Sequence, residues 1–157
     1  MSSKSRVRKH GPTAMSPLLR SLTLSRTAHA PVTQTMLLQA YTALDAFRRG
    51  HGARNLHTTL SRHLLASQEL ARAGLGADVC ADIESAHAAM VRLDMRERET
   101  GRWLLEDDDY ARLCTALVIF DGQLSAASLN ELASAEAKMI EGLMRSAQLR
   151  ALAEAVV

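Results

Sequence analysis

Acidic residues are missing from this chain until Asp45, and aromatic side chains are scarce, five in 157 residues. With aromatics at 3% and apolar residues at 47%, the core must be built from Leu, Ala, Met, Ile and Val. That is a helix-forming palette. Two cysteines, Cys80 and Cys114, are too few for a disulfide framework and fit a reducing compartment. No stretch approaches the roughly 18 consecutive apolar residues that a membrane-spanning helix requires. The N-terminus has no apolar run of the secretory kind, although an Arg- and Ser-rich segment without acids also has the composition of an organelle transit peptide. There is no alternating β-branched run, no repeat at a 20–50 residue period and no sustained heptad.

What is present is a strong charge asymmetry. Residues 1–68 hold ten basic side chains against one acidic, and residues 69–157 hold nine against sixteen. The formal net charge of +2 therefore conceals a division into +9 and −7. Lys4, Arg6, Arg8, Lys9, Arg20 and Arg26 all precede the first acid. A block of this kind suggests an arm that meets phosphate or another acidic surface.

The length suits one domain. Residues 1–30, rich in Ser, Thr, Arg and Pro, read as a flexible basic arm in which "PLLRSLTL" is the only apolar anchor. Helical spacing begins after Pro31, with Met36, Ala40, Ala43 and Phe47 on one face and Leu37, Tyr41 and Leu44 beside it. Gly50 and Gly52 end this helix. Asn55 is placed to cap a second helix with the stripe Leu56, Leu60, Leu64 and Ala71, stopped by Gly74 and Gly76. A third helix starts after Asp78 on Val79, Ile83, Ala86, Met90 and Leu93, and Gly101 closes it. Trp103, Leu104 and Leu105 form an apolar linker. Asp107, Asp108 and Asp109 suit the positive end of a fourth helix carrying Tyr110, Leu113, Leu117 and Phe120, with Asp121-Gly122 read as a turn. Ser128 and Glu131 form a capping box for a fifth helix with Leu129, Leu132, Ile140, Leu143 and Met144, and the tail extends it or forms a sixth. The predicted fold is all-α, an antiparallel bundle of about five helices over residues 31–157.

Chemical motifs are sparse. His51, His57 and His63 lie close in sequence, with Cys80, His87 and Cys114 as softer donors, but His57 and His63 are about 120° apart on a helix and no CxxC or HExxH pair exists. His87 sits on an apolar stripe and reads as a core-edge residue. Neighbouring side chains of the Asp107–Asp109 triplet diverge by about 100° and suit capping better than an ion. Without GxSxG, P-loop or GxGxxG signatures, no enzyme activity, metal or cofactor is expected.

Nucleic acid is the partner the charge favours, through Lys4, Arg6, Arg8, Lys9, Arg20 and Arg26, with Arg48, Arg49 and Arg54 as secondary contacts and Arg62 extending the basic strip. Ser67–Met90 can be drawn as a helix-turn-helix, but its second helix opens with Asp78, Asp82 and Glu84, the wrong sign to face phosphates. Few aromatics remain to stack single-stranded bases, so binding should be electrostatic, salt-sensitive and weakly selective. The competing reading is a protein-binding adaptor or inhibitor. Its basic arm would meet an acidic protein surface, its halves would self-associate head to tail as a possible homodimer, or Met90, Met95, Met139 and Met144 would line a groove.

The segments "LDAFRRGHG" (Leu44 to Gly52) and "RERETGRW" (Arg96 to Trp103) resemble small helical bacterial proteins of mobile elements labelled Fis-type transcriptional regulators. The resemblance implies a bacterial cytoplasmic protein associated with DNA. The last helix departs from a basic helix-turn-helix, since it carries Glu131, Glu136 and Glu141 among Lys138 and Arg145. No functional residue is carried over.

Overall fold

The computed structural model describes the backbone of residues 17–155 and the side chains of residues 29–148. The described residues form five α-helices: α1 (Pro17–Arg48), α2 (Arg54–Arg72), α3 (Cys80–Thr100), α4 (Asp107–Ala126) and α5 (Leu129–Ala155). A 3-10 turn at Ala77–Val79 precedes α3, and no strand occurs among these residues. The all-α reading is correct.

Contacts between helices define the topology. Arg54 reaches Asp94 and Glu97, Arg92 reaches Asp109, and Arg48 lies over Tyr110, so α1 to α4 run up and down with each neighbour antiparallel. Ser67 on α2 bonds Gln123 on α4, two helices that run in the same direction across the bundle diagonal. Helix α5 then packs on α2, outside this four-helix core.

Apolar spacing accounts for the interior. Phe47, Leu60, Leu64, Leu93, Leu113 and Leu117 belong to one buried cluster, while Met36, Leu70, Phe120, Leu124 and Leu132 belong to a second that includes the start of α5. Complete burial of a Leu or Phe side chain contributes about 1.5–3 kcal/mol, so these two clusters carry most of the stability.

Local signals were overridden at three places. The first helix begins at Pro17 rather than after Pro31, so the expected boundary between residues 30 and 31 falls inside α1. Pro31 removes one backbone donor. Thr33 still donates its hydroxyl to the carbonyls of His29 and Ala30 at 3.2 Å, Thr35 does so to Pro31 at 2.8 Å, and His29 Nε2 reaches the Ala127 carbonyl at 2.7 Å, which ties this turn to the α4–α5 junction. Asn55 does not cap α2; Ala53 holds that position and the helix already includes Arg54. Asp121-Gly122 is not a turn but part of α4, which continues because Gln123 and Leu124 beyond it are buried.

Other signals held. Ser128 accepts from the Glu131 amide through Oγ at 3.2 Å, and Glu131 Oε2 accepts from the Ser128 amide at 2.8 Å, completing the capping box. These bonds lower the Glu131 pKa. Gly101 ends α3 with φ +68°, a left-handed conformation that glycine adopts without Cβ strain, and its amide bonds Glu97 O at 2.7 Å. Helix α5 runs on to Ala155, so the tail extends it.

Candidate functional site

Residues 44–52 and 96–103 meet at one end of the bundle. Phe47, from the first, packs against Trp103, from the second, with ring centroids 5.9 Å apart. The Leu105 amide donates to the Phe47 carbonyl at 3.2 Å. A Cβ added to Gly52 would lie 2.2 Å from the Phe47 ring and 2.5 Å from Trp103 Cβ, so only glycine lets the α1–α2 turn approach this closely.

Three of the expected basic contacts surround this end, and each already has a partner. Arg49 pairs with Asp45 at 3.0 Å within α1. Arg48 stacks over the Tyr110 ring at 4.1 Å and lies 3.9 Å from Asp107. Arg54 lies over Trp103 at 4.8 Å, bonds Glu97 at 3.1 Å and pairs with Asp94. Burial acts to raise the Asp94 pKa, but the Arg54 hydrogen bond and the charges of Arg98, Arg54 and His57 bring it below the ordinary value. His57, a metal candidate from its spacing, instead donates Nε2–H to the Met90 carbonyl at 3.1 Å and packs on Trp103 at 5.2 Å.

The neighbouring α3–α4 connection is held in the same way. Arg92 grips the buried carboxylate of Asp109 with Nε–Oδ1 at 3.0 Å and Nη2–Oδ1 at 2.6 Å. This fork is a strong, directional pairing and raises the Arg92 pKa, the hydrogen bond to Asp109 being the largest cause. Arg96 bonds the Leu104 carbonyl at 2.9 Å and Glu106 at 2.5 Å. The triplet Asp107–Asp109 thus splits, with one carboxylate buried on an arginine while Asp107 and Asp108 face outwards.

Of the principal candidates, Lys4, Arg6, Arg8 and Lys9 lie outside the described residues. Arg20 and Arg26 fall on the backbone of α1, with side chains outside the described set. Arg62 is not part of the Arg54 network. It lines a cleft of ≈ 230 Å³ between α1, α2 and α5 with Met36, Gln39, Thr59, His63, Glu136 and Met139. His63 is 8% exposed, stacks on Phe120 at 5.7 Å, and its Nε2 is buried without a hydrogen-bond partner. Burial, reinforced by Arg62, pushes its pKa down to about 4, so the ring is neutral at pH 7. The position of His63 one residue before Leu64 on the apolar stripe was the only sequence signal for this.

The methionine groove does not form. Met90 and Met139 are core residues, whereas Met95 and Met144 are exposed. Among the described residues, no group of three His, Cys, Asp or Glu side chains is placed to hold a metal ion, and no helix is long and apolar enough to cross a membrane.

The fold and this end of the molecule define an all-α bundle whose arginines are largely matched by carboxylates. No protein-family model, curated protein or solved structure matches the chain.

Proposed function

We propose that this protein is a non-enzymatic, nucleic-acid-associated regulator of the bacterial cytoplasm, contacting the phosphate backbone through its N-terminal basic residues. The supporting observation is how charge is distributed and paired. Residues 1–28 carry six basic and no acidic side chains, whereas residues 29–148 carry twelve basic and sixteen acidic. Within the bundle, Arg48, Arg49 and Arg54 each lie against a carboxylate, so the reading rests on Lys4, Arg6, Arg8, Lys9, Arg20 and Arg26 as the contacts that release counterions from phosphate. Such binding reads charge and not base sequence. The Fis-type resemblance of residues 44–52 and 96–103 points to the same class.

A second reading, a protein-binding adaptor, is favoured by apolar side chains on the outside of the bundle, with Leu38 70% and Val118 67% exposed. A salt titration on random duplex DNA separates the two. The full chain is compared with one that begins at Pro17 and carries Arg20→Gln and Arg26→Gln, which keeps α1 intact. Six phosphate contacts give a slope of log K on log salt of about −5; the altered chain is expected to lose most of it. Equal affinity, or no binding by either, overturns the nucleic-acid reading and sends the basic segment to an acidic protein.

A further inference from the structure

Helix α5 begins inside the core and leaves it after Met139. Leu132, Ala135 and Met139 are buried against α2 and its neighbours, but every described residue from Ile140 to Gln148 is exposed. One exposed face of the helix is apolar. Ala133, Ala137, Ile140, Met144 and Ala147 follow one another at intervals of four and three, which places them along one face, with Leu143 at its edge. Ile140 is 47%, Leu143 46% and Met144 62% exposed. Of the expected apolar stripe of this helix, Leu132 is buried while Ile140, Leu143 and Met144 are exposed.

We propose that this face binds the same face of a second copy of the chain, with the two α5 helices antiparallel and crossing at Gly142–Leu143. Two features select a second copy as the occupant. The stripe reads the same in both directions about Gly142: Ile140 mirrors Met144, Ala137 mirrors Ala147, and Ala133 mirrors Ala151 in the sequence. A two-fold interface needs this self-complementarity, because each residue meets its own mirror position. Small residues at the outer positions let the helices approach closely, and the large side chains interlock at the centre.

Charge is complementary about Leu143, one residue from the centre of the apolar mirror. Glu136 lies seven residues before Leu143 and Arg150 seven after it, so antiparallel pairing about Gly142 sets each glutamate two residues, about 3 Å along the axis, from the partner's arginine position. Glu136 takes part in no ion pair among the described residues. A parallel arrangement would set Glu136 against Glu136 and Arg150 against Arg150. Glu141 and Arg145 pair with each other along α5 at 2.7 Å, so neither adds an unmatched charge near the stripe. From Ala133 to Ala151 the face is about 27 Å long, a small interface that suits association in the micromolar range. Unlike a head-to-tail contact between basic and acidic halves, this one closes at two copies.

The test is sedimentation equilibrium of the nuclease-treated full chain from about 1 to 500 µM, a range spanning weak interfaces. The expected result is a reversible monomer–dimer equilibrium with no larger species. Ile140→Asp, at an exposed site, should raise the dissociation constant at least tenfold with unchanged helical circular dichroism and Tm. Glu136→Arg alone and Arg150→Glu alone should each weaken the dimer, and the double reversal should restore it. A monomer throughout, growth beyond the dimer, a dimer indifferent to Ile140→Asp, or no restoration in the double variant overturns the proposal. Because no nucleic acid is present, the outcome is independent of the function proposed above.

Discussion

Gln123 on α4 and Ser67 on α2 hold each other inside the bundle, near the C-terminal ends of both helices. Ser67 Oγ donates to Gln123 Oε1 at 2.6 Å, while Gln123 Nε2 donates to the Ser67 carbonyl at 3.1 Å and to the Leu75 carbonyl at 2.9 Å. One amide thus joins α4 to α2 and to the loop that follows it. Its oxygen and nitrogen are both used, so a buried polar side chain carries no unmet hydrogen bond here.

Gln123→Ala would leave the Ser67 hydroxyl and two carbonyls without this partner. A loss of about 2–3 kcal/mol in unfolding free energy is expected, the usual penalty for stranding buried polar groups. Urea denaturation followed by circular dichroism checks it; a loss below about 0.5 kcal/mol would show that water replaces the amide.

Gly52→Ala tests the close approach at the other end. The added Cβ cannot fit between Phe47 and Trp103, and moving either ring opens the packed end, so a cost of about 2 kcal/mol or more is expected. Trp103 is the only tryptophan, so a red shift of native fluorescence reports the displacement directly. An unshifted spectrum with unchanged Tm would contradict this account.

Acid should weaken the fold before the carboxylates titrate. Burial lowers the His63 pKa to about 4, from 6.5 in the unfolded chain. Burial also lowers that of His87, with Arg72 acting in the same direction and Glu84 against it. Between these values the unfolded state binds more protons, so stability is full above about pH 6.5 and is lost as pH falls towards 4. Equilibrium unfolding at pH 7, 6 and 5 should show the decline. His63→Leu should flatten most of it and leave the smaller share of His87; an unchanged pH profile in that variant would refute the assignment.

Arg54 should matter to the bundle and not to the polyanion. Arg54→Gln removes its pairs with Asp94 and Glu97 and its cover over Trp103; because the side chain is largely exposed, the expected loss is no more than about 1 kcal/mol. The slope of DNA binding against salt should stay the same, whereas Arg8→Gln should reduce it by about 0.9. Equal effects of the two substitutions would place Arg54 at the interface.

Much of this architecture was legible because helix signals are local. The 3.6-residue spacing of Met36, Ala40, Ala43 and Phe47 marks a buried face, and Ser128 with Glu131 marks a helix start, with no information needed from elsewhere in the chain. The same locality produced the errors. Pro31 and Asp121-Gly122 weaken a helix in isolation, yet here residues on both sides are held by neighbouring elements, His29 by the Ala127 carbonyl and Gln123 by Ser67 and Leu75.

The sequence by itself determined the helical class, the aliphatic core and the division of charge, since each depends on composition or short-range period. Only the tertiary structure decided which charges are matched. Arg54 meets Asp94 forty positions away, Arg92 meets Asp109 across a chain reversal, and His63 is closed into the core by Phe120. Coulombic and hydrogen-bond energies fall steeply with distance and loss of alignment. They are therefore set by the packing of one helix on another, which no spacing along a single helix specifies.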